Sequence, residues 1–591
     1  MRVDGKAEGL RQSMSWVHTY SGLLMGWLLY AIFFTGTFSY FRNEINDWMR
    51  PELHTSVQDE HTLERSLATL NALAPHSENW SITLPHPRSV AVNASYRDPL
   101  ADSDNPRATT KRILLDASTG AEVTPRETRA SNFFYRFHFE LHAMPRTWGR
   151  WIVGIATMLM FVAIISGVIT HKKIFSDFFT FRPKKGQRSW LDAHNATAVL
   201  ALPFHIVITF SGLLLLTGTI LPYGSQALTD GSSNNARGGT GRGGPAQMQT
   251  RGSQMAELPS ASQTGIFALA PLAPMLLEAR RQWPVNGVGS ISIDAPNTSR
   301  ATITLNERHS ASLVTGGRGG GRSLQFDGIT GTLREPPAST ATPPSFVRKI
   351  RNVVVAVHEG RFAGPIIRSL LFLSGVLGTF MAASGMVLWV VKRLPERRKL
   401  GRTPFSHRLV EILNVGAIGG LSVAFATLFW MNRLLPADMI GRADWEIRGF
   451  FIAWGLCAVH PLLCSHRKAW LHQMALATLM YALLPVLNLL TGGSSLLHSL
   501  MYGQQSLVNV EIVLLGMAAL HGSVVWWLLK KPVAKPAGRS AAKTRPVRAA
   551  PMRPAAPVVA SSATTSTTAA ASVTGIAAAA VMQSHVLEKT A

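Results

Sequence analysis

Residues 190–216 read WLDAHNATAVLALPFHIVITFSGLLLL. The stretch is apolar enough to sit in a bilayer, yet it carries His194 and His205. Their separation of eleven residues amounts, on an α-helix, to a rise of about 16 Å and roughly 20° beyond three full turns. One continuous helix therefore sets both rings on one face, one at the membrane edge and one near mid-depth. An imidazole inside a membrane helix marks a functional site by default, against the plainer reading of a buried ring bonded to a neighbouring helix. The functional reading gains weight because the stretch has a counterpart elsewhere in the chain.

The order apolar helix, polar segment, apolar helix occurs twice. His18 is followed 18 residues later by Gly36 in a Thr-Gly pair, and His194 by Gly212 in a Ser-Gly pair at the same distance. After each polar segment the chain returns through a histidine, His142 in one half and His358 in the other, into a span that ends in Ser166-Gly167 or Ser384-Gly385. Two related halves about a pseudo-two-fold axis make His18 equivalent to His194, and His142 equivalent to His358. A pair of facing histidines at each end of a four-helix bundle is the arrangement that bis-imidazole ligation of two stacked b-type haems requires. His171 and His205 have no symmetric counterpart and stand as alternative ligands. His138, four residues before His142, is a candidate for proton transfer or substrate contact. Arg146, Arg150, Arg361 and Arg368 lie near the second pair and suit haem propionates, or equally lipid headgroups. Gly22, Gly26, Gly36, Gly167, Gly212, Gly375, Gly378 and Gly385 let helices approach closely or leave room for a flat macrocycle.

Across all 591 residues, 47% are hydrophobic and 15% charged, which places the chain in the membrane class. A spanning helix needs about 20 mostly apolar residues. Eight stretches meet this, near 16–41, 149–171, 194–221, 366–391, 409–431, 447–464, 469–490 and 508–529. The net charge of +25 does not indicate nucleic acid, because the basic residues gather in short loops between apolar runs. Those loops are RPKKGQR (182–188), KRLPERRKLGR (392–402), SHRK (465–468) and the stretch from Lys530. All fall on one side with the N-terminus, so the positive-inside rule puts both termini in the cytoplasm. Two cysteines, Cys457 and Cys464, exclude a disulfide framework and a Cys-rich metal cluster.

The fold class expected is thus a polytopic α-helical membrane protein with about eight transmembrane helices and two α+β outer domains. The expected division is 1–41 with the first helix, 42–140 as outer domain one, 141–221 with helices two and three, 222–357 as outer domain two, 358–402 with helix four, 403–530 with helices five to eight, and a disordered tail over 531–591. Alternating strands such as RILLDASTGAEV (112–123), SISIDAP (290–296) and LQFDGITGTL (324–333) read as antiparallel, with short helices over 62–73 and 265–282. The Gly/Arg-rich pieces 235–253 and 315–322 read as flexible insertions.

Four stretches carry a resemblance: WVHTYSGLLMGWLLYAIFFTGTFSYFRNEI (16–45), FHFELHAMPRTWGRWIVGI (137–155), SGVITHKKIFSDFFTFRPKKGQRSWLDAHNATAVLALPFH (166–205) and VHEGRFAGP (357–365). Over about residues 10–530 the chain resembles the PepSY-associated transmembrane-helix family, and within it the siderophore-reductase-like members. The resemblance implies two b-type haems, PepSY-like periplasmic domains, the inner membrane of a Gram-negative bacterium, and reduction of ferric siderophores to release Fe(II). The electron donor would be a cytoplasmic reductase or membrane quinol, since no nucleotide fold is visible. Two rival readings stay open. One is an iron–siderophore transporter or permease component, favoured by His205 beside Pro203. The other is a regulatory or peptide-binding PepSY-type protein.

Overall fold

The computed structural model describes residues 9–97, 110–171, 181–221, 267–308, 322–334, 346–360 and 362–530. The expected insertion at 235–253, nearly all of that at 315–322, and the tail from 531 lie outside the described residues.

The first half runs α1 (Leu10–Ser39), α2 (Arg42–Trp48), α3 (Thr62–Leu73), β1 (Asn79–Thr83), β2 (Val92–Arg97), β3 (Thr110–Leu115), β4 (Glu122–Val123), α4 (Ala130–Glu140) and α5 (Arg146–Thr170). The second repeats this order with α6 (Gln187–Leu200), α7 (Leu202–Ile220), α8 (Leu272–Gln282), β5 (Val288–Asp294), β6 (Thr302–Glu307), β7 (Ser323–Asp327), β8 (Leu333–Arg334), α9 (Phe346–Glu359) and α10 (Pro365–Leu400). There follow α11 (Phe405–Asn414), joined by a π-turn to α12 (Gly420–Leu434), then α13 (Arg442–Leu463), α14 (His466–Leu490), α15 (Leu496–Met501) and α16 (Gln505–Lys530). Among the described residues eight helices are long and apolar enough to cross a bilayer, each overlapping one of the expected spans.

The third span departs from expectation. Residues 187–220 do not form one helix: α6 stops at Ala201, with φ −105° and ψ 18°, and α7 restarts at Leu202. Pro203 has no N–H to donate and its ring obstructs the carbonyl one turn back, so the helix breaks there. His194 on α6 and His205 on α7 nevertheless both turn towards α10, where they meet Gly385 and Gly378.

α1, α5, the α6–α7 pair and α10 form a ring in which α1 touches α5 and α10, while α7 touches α5 and α6 touches α10. A two-fold axis exchanging α1 with α6–α7 and α5 with α10 reproduces this contact pattern. The second helical unit, α11 to α16, packs on α1 through an aromatic seam. Phe38 lies 4.3 Å from Phe425, and Phe134 stacks on Phe425 at 4.2 Å.

The two polar segments fold together, not as two separate sheets. They build one antiparallel eight-stranded sheet in the order β4-β3-β2-β1-β5-β6-β7-β8. β1 and β5 join the halves, with Trp80 opposite Ile293 and Ser81 opposite Ser292. Each half alone would present an unpaired edge, and pairing those edges removes the exposed N–H and C=O groups. Trp80, Ile82, Ile291 and Ile293 point from the joint into one core, covered by Leu70 of α3 and Met275 and Ala279 of α8.

Residues 42–54 couple sheet, bundle and second helical unit. Val90 N–H donates to the Asp47 carboxyl at 3.0 Å, and Ser494 N–H donates to His54 Nδ1 at 3.1 Å. Burial, reinforced by nearby Glu44, raises the Asp47 carboxyl to about 7 despite the Val90 bond.

Two outcomes follow. A chain carrying Ser81→Cys with Ser292→Cys should cross-link within itself under mild oxidant, seen as a mobility shift reversed by reductant, because directly opposed antiparallel residues fall within disulfide reach. For Asp47, the folded state holds its proton more tightly than the unfolded chain, so that stabilisation is complete below the ordinary carboxylate range and is lost as pH rises through about 7. Asp47→Asn should therefore leave the thermal midpoint near wild type at about pH 4 and raise it at about pH 8.

Candidate functional site

Four histidines of the core are held in one repeated way. His18 Nδ1 meets the Ala163 carbonyl at 2.8 Å, and His138 Nδ1 meets the Ile32 carbonyl at 2.7 Å. His194 Nδ1 meets the Met381 carbonyl at 3.0 Å, with Ser384 Oγ at 3.3 Å. His358 Nδ1 lies 2.6 Å from Ser211 Oγ, whose own hydrogen goes to the helix carbonyl of Val207 or Ile208. Carbonyls only accept, and this serine has its hydrogen committed, so each imidazole carries its proton on Nδ1. That tautomer presents Nε2 as the lone-pair nitrogen, the form in which histidine binds a metal.

Each acceptor lies in, or one helical turn before, one of the four Thr-Gly or Ser-Gly pairs. Ile32, Ala163 and Met381 each lie three residues before Thr35, Ser166 and Ser384. The adjoining glycines supply the space. A Cβ on Gly36 would fall 2.5 Å from the His138 ring; on Gly167, 3.1 Å from His18; on Gly385, 3.1 Å from His194; on Gly212, 3.5 Å from His358. A backbone carbonyl sets the bond in three sites and Ser211 in the fourth, while glycine lets the ring lie against the helix backbone.

The rings form two pairs. His18 and His194 have centroids 6.2 Å apart, and so do His138 and His358. Two imidazoles bound through Nε2 to opposite sides of one metal, at about 2.0 Å each and with ring centres roughly 1.1 Å behind the nitrogens, stand about 6 Å apart. Fixed tautomer, glycine-walled space and ring separation together fit a bis-imidazole metal centre in each pair.

The expected partner of His358 was His142; the structure puts His138 there. His142 sits in the turn between α4 and α5, flanked by Leu141 and Ala143 at positive φ of 58° and 56°, and stacks on Phe451 at 5.1 Å. That turn folds α4 back along α5, where Gly149 abuts the Glu140 backbone so closely that no side chain fits. The α4 face that results carries His138, not His142, towards α1. A signal existed in the sequence: His138 and His358 each precede a helix-opening proline, Pro145 and Pro365, by seven residues.

The other expected residues fall as follows. His205 is 1% exposed, its ring centroid 5.9 Å from that of Phe33, and its Nε2 has no hydrogen-bond partner among the described residues. It lies between the two pairs in depth, since Phe33 adjoins Ile32 and Gly378 is three residues from Met381. His171 ends α5, its backbone N–H on the Gly167 carbonyl at 3.1 Å. The arginines expected at propionates are held by buried carboxylates instead. Arg150 pairs with Glu140 at 2.6 Å and Arg146 approaches it at 4.0 Å, while Arg368 pairs with Glu44 at 2.7 Å. Burial raises the Glu140 carboxyl, but Arg136 and Arg150 more than offset this and hold it below the usual range. A buried carboxylate needs such partners, which is why these guanidiniums are engaged. Arg361 lies outside the described residues.

Gly36 offers a direct check. Gly36→Ala should destabilise the chain by about 1–3 kcal/mol through overpacking against His138. Gly22→Ala, on the same helix with open space around it, should be neutral or stabilising by up to about 1 kcal/mol. Thermal unfolding in detergent separates the two.

A search of curated proteins returns no match. The family model described as PepSY-associated TM region matches residues 15–392, from α1 to the body of α10, so it takes in the four-helix ring and the sheet and stops short of α11 to α16. With the larger part of its length matched, the chain belongs to the PepSY-associated transmembrane family and is a multi-pass membrane protein.

Proposed function

We propose that this protein is an inner-membrane oxidoreductase carrying two b-type haems, which passes electrons from a cytoplasmic reductase or quinol to periplasmic ferric siderophores. The observation that carries the reading is the repeated clamp: four imidazoles, paired at 6.2 Å, each with its proton fixed on Nδ1. When bound, haem supplies a one-electron couple, and bis-histidine ligation suits electron transfer. His18 and His194 would hold the group on the side of the basic loops, which the positive-inside rule makes cytoplasmic. His138 and His358 would hold the other near the sheet, on α4 and α9. A ferric siderophore is large and polar, so the sheet-side pair is the one within its reach. Fe(III) chelates lose affinity on reduction, and that loss is the release step. With no C-x-x-C-H motif in the sequence, the haems would be held non-covalently.

A transport reading retains one specific support: the helix break at Ala201 to Pro203 beside buried His205, a feature transporters use at substrate sites. Haem content decides between them. Protein made with ample haem should give about two haems per chain by pyridine haemochrome. His18→Ala or His194→Ala should remove one, His138→Ala or His358→Ala the other, and His142→Ala neither. Haem-free wild-type protein would defeat the oxidoreductase reading and favour transport.

A further inference from the structure

The second helical unit holds a group of side chains that the two imidazole pairs do not use. Cys464 ends α13, and His460 lies four residues before it, on the same helical face. Ser465 turns the chain, and His472 comes from the second turn of α14. Cys464 Sγ is 3.7 Å from His460 Nε2, and His472 Nδ1 is 3.3 Å from the same nitrogen. All three ligand atoms lie within 4.8 Å of one another.

These separations are informative. Around a tetrahedral ion with about 2.05 Å to nitrogen and about 2.3 Å to sulfur, the N–N edge is about 3.3 Å and the S–N edge about 3.6 Å. The observed 3.3 and 3.7 Å lie close to those two ligand edges.

The surroundings hold the cluster in place. Arg408 of α11 donates to the Pro461 and Cys464 carbonyls at 2.6 and 3.3 Å, clamping the end of α13. Gln473, next to His472, donates to the Cys457 carbonyl at 2.6 Å and ties α14 to α13. Its amide lies 3.5 Å from His460 Nδ1, too long to impose a tautomer. His460 and Cys464 are half-buried and His472 is exposed, at the ends of the two spans that meet in the SHRK loop, which leaves a fourth ligand position uncovered by the protein.

We propose that His460, Cys464 and His472 form a binding site for a divalent transition metal ion of the zinc class. Two imidazoles and a thiolate select borderline-to-soft metals and reject magnesium and calcium, which take oxygen ligands. Three protein ligands with an open fourth position mark an exchangeable site, unlike a closed four-ligand structural one. It sits at the α13–α14 hairpin, on the side of the basic SHRK loop, and is separate from the core histidines.

The test uses the full-length chain in detergent, stripped with a chelator and given Zn(II). The expected result is about one tightly held zinc per chain, with one sulfur at about 2.3 Å in X-ray absorption and nitrogen or oxygen at about 2.0–2.1 Å. Zinc should also protect Cys464 from alkylation, read by peptide mass spectrometry. Cys464→Ser and His472→Ala should each weaken binding by about tenfold or more, and Cys457→Ser should not. Because His472 is exposed, its replacement leaves folding intact, and haem content measured on the same samples reports on the core independently. Zinc binding unchanged in Cys464→Ser and His472→Ala, a zinc spectrum without sulfur, or no retained zinc would each overturn the proposal.

Discussion

The core depends on a hydrogen bond made four times, from an imidazole Nδ1–H to a backbone carbonyl or serine oxygen on the facing helix. Inside a bilayer a polar ring without a partner is costly, and a helix carbonyl is the acceptor always at hand. Carbonyls within a helix are normally screened by the side chains around them. The glycine beside each site removes that screen, and the serine or threonine next to it contributes a second polar atom at the same level.

Twofold organisation follows from this device. Both halves carry a ring donor on the first helix, a ring donor on the segment before the second, and a Ser/Thr-Gly acceptor on each helix. Each histidine is clamped by a helix other than its own within the same half, so the bonds tie α1 to α5 and α4 in one half and α6–α7 to α10 and α9 in the other, and the two ring pairs lie between the halves. The same symmetry extends into the sheet, where β1 and β5 pair across the joint. Sheet and bundle thus each carry the twofold repeat, and residues 42–54 join them.

Buried charge appears where the layers meet. Glu44 with Arg368 and Arg88, and Glu140 with Arg136 and Arg150, anchor the segments that enter and leave the sheet. Arg442, buried with Glu446, donates to the Glu127 carbonyl and ties the second helical unit to the segment before α4. Breaking such a pair leaves an uncompensated buried charge, which is far costlier than the pair is favourable. These contacts hold α4, and with it His138, in the orientation the site requires.

Several features were legible in the sequence because they arise from local or periodic chemistry. Apolar length marked the eight spans, and the equal spacing from His18 to Gly36 and from His194 to Gly212 exposed the repeat. The Thr-Gly and Ser-Gly pairs were visible too, though not that they are the acceptors. What tertiary structure decided was which side chains meet. His138 and His142 differ by one helical turn, and only the reversal at Leu141 to Pro145 determines which faces His358. The arginines near the site are charged whatever surrounds them, but whether Glu44 or Glu140 already holds them depends on chain paths far apart in sequence. One sheet or two turned on the pairing of β1 with β5, strands more than two hundred residues apart; alternation of apolar residues specifies a strand's face and is silent about its neighbour. Local patterns therefore determined the elements and their symmetry, while contacts among distant segments determined the site.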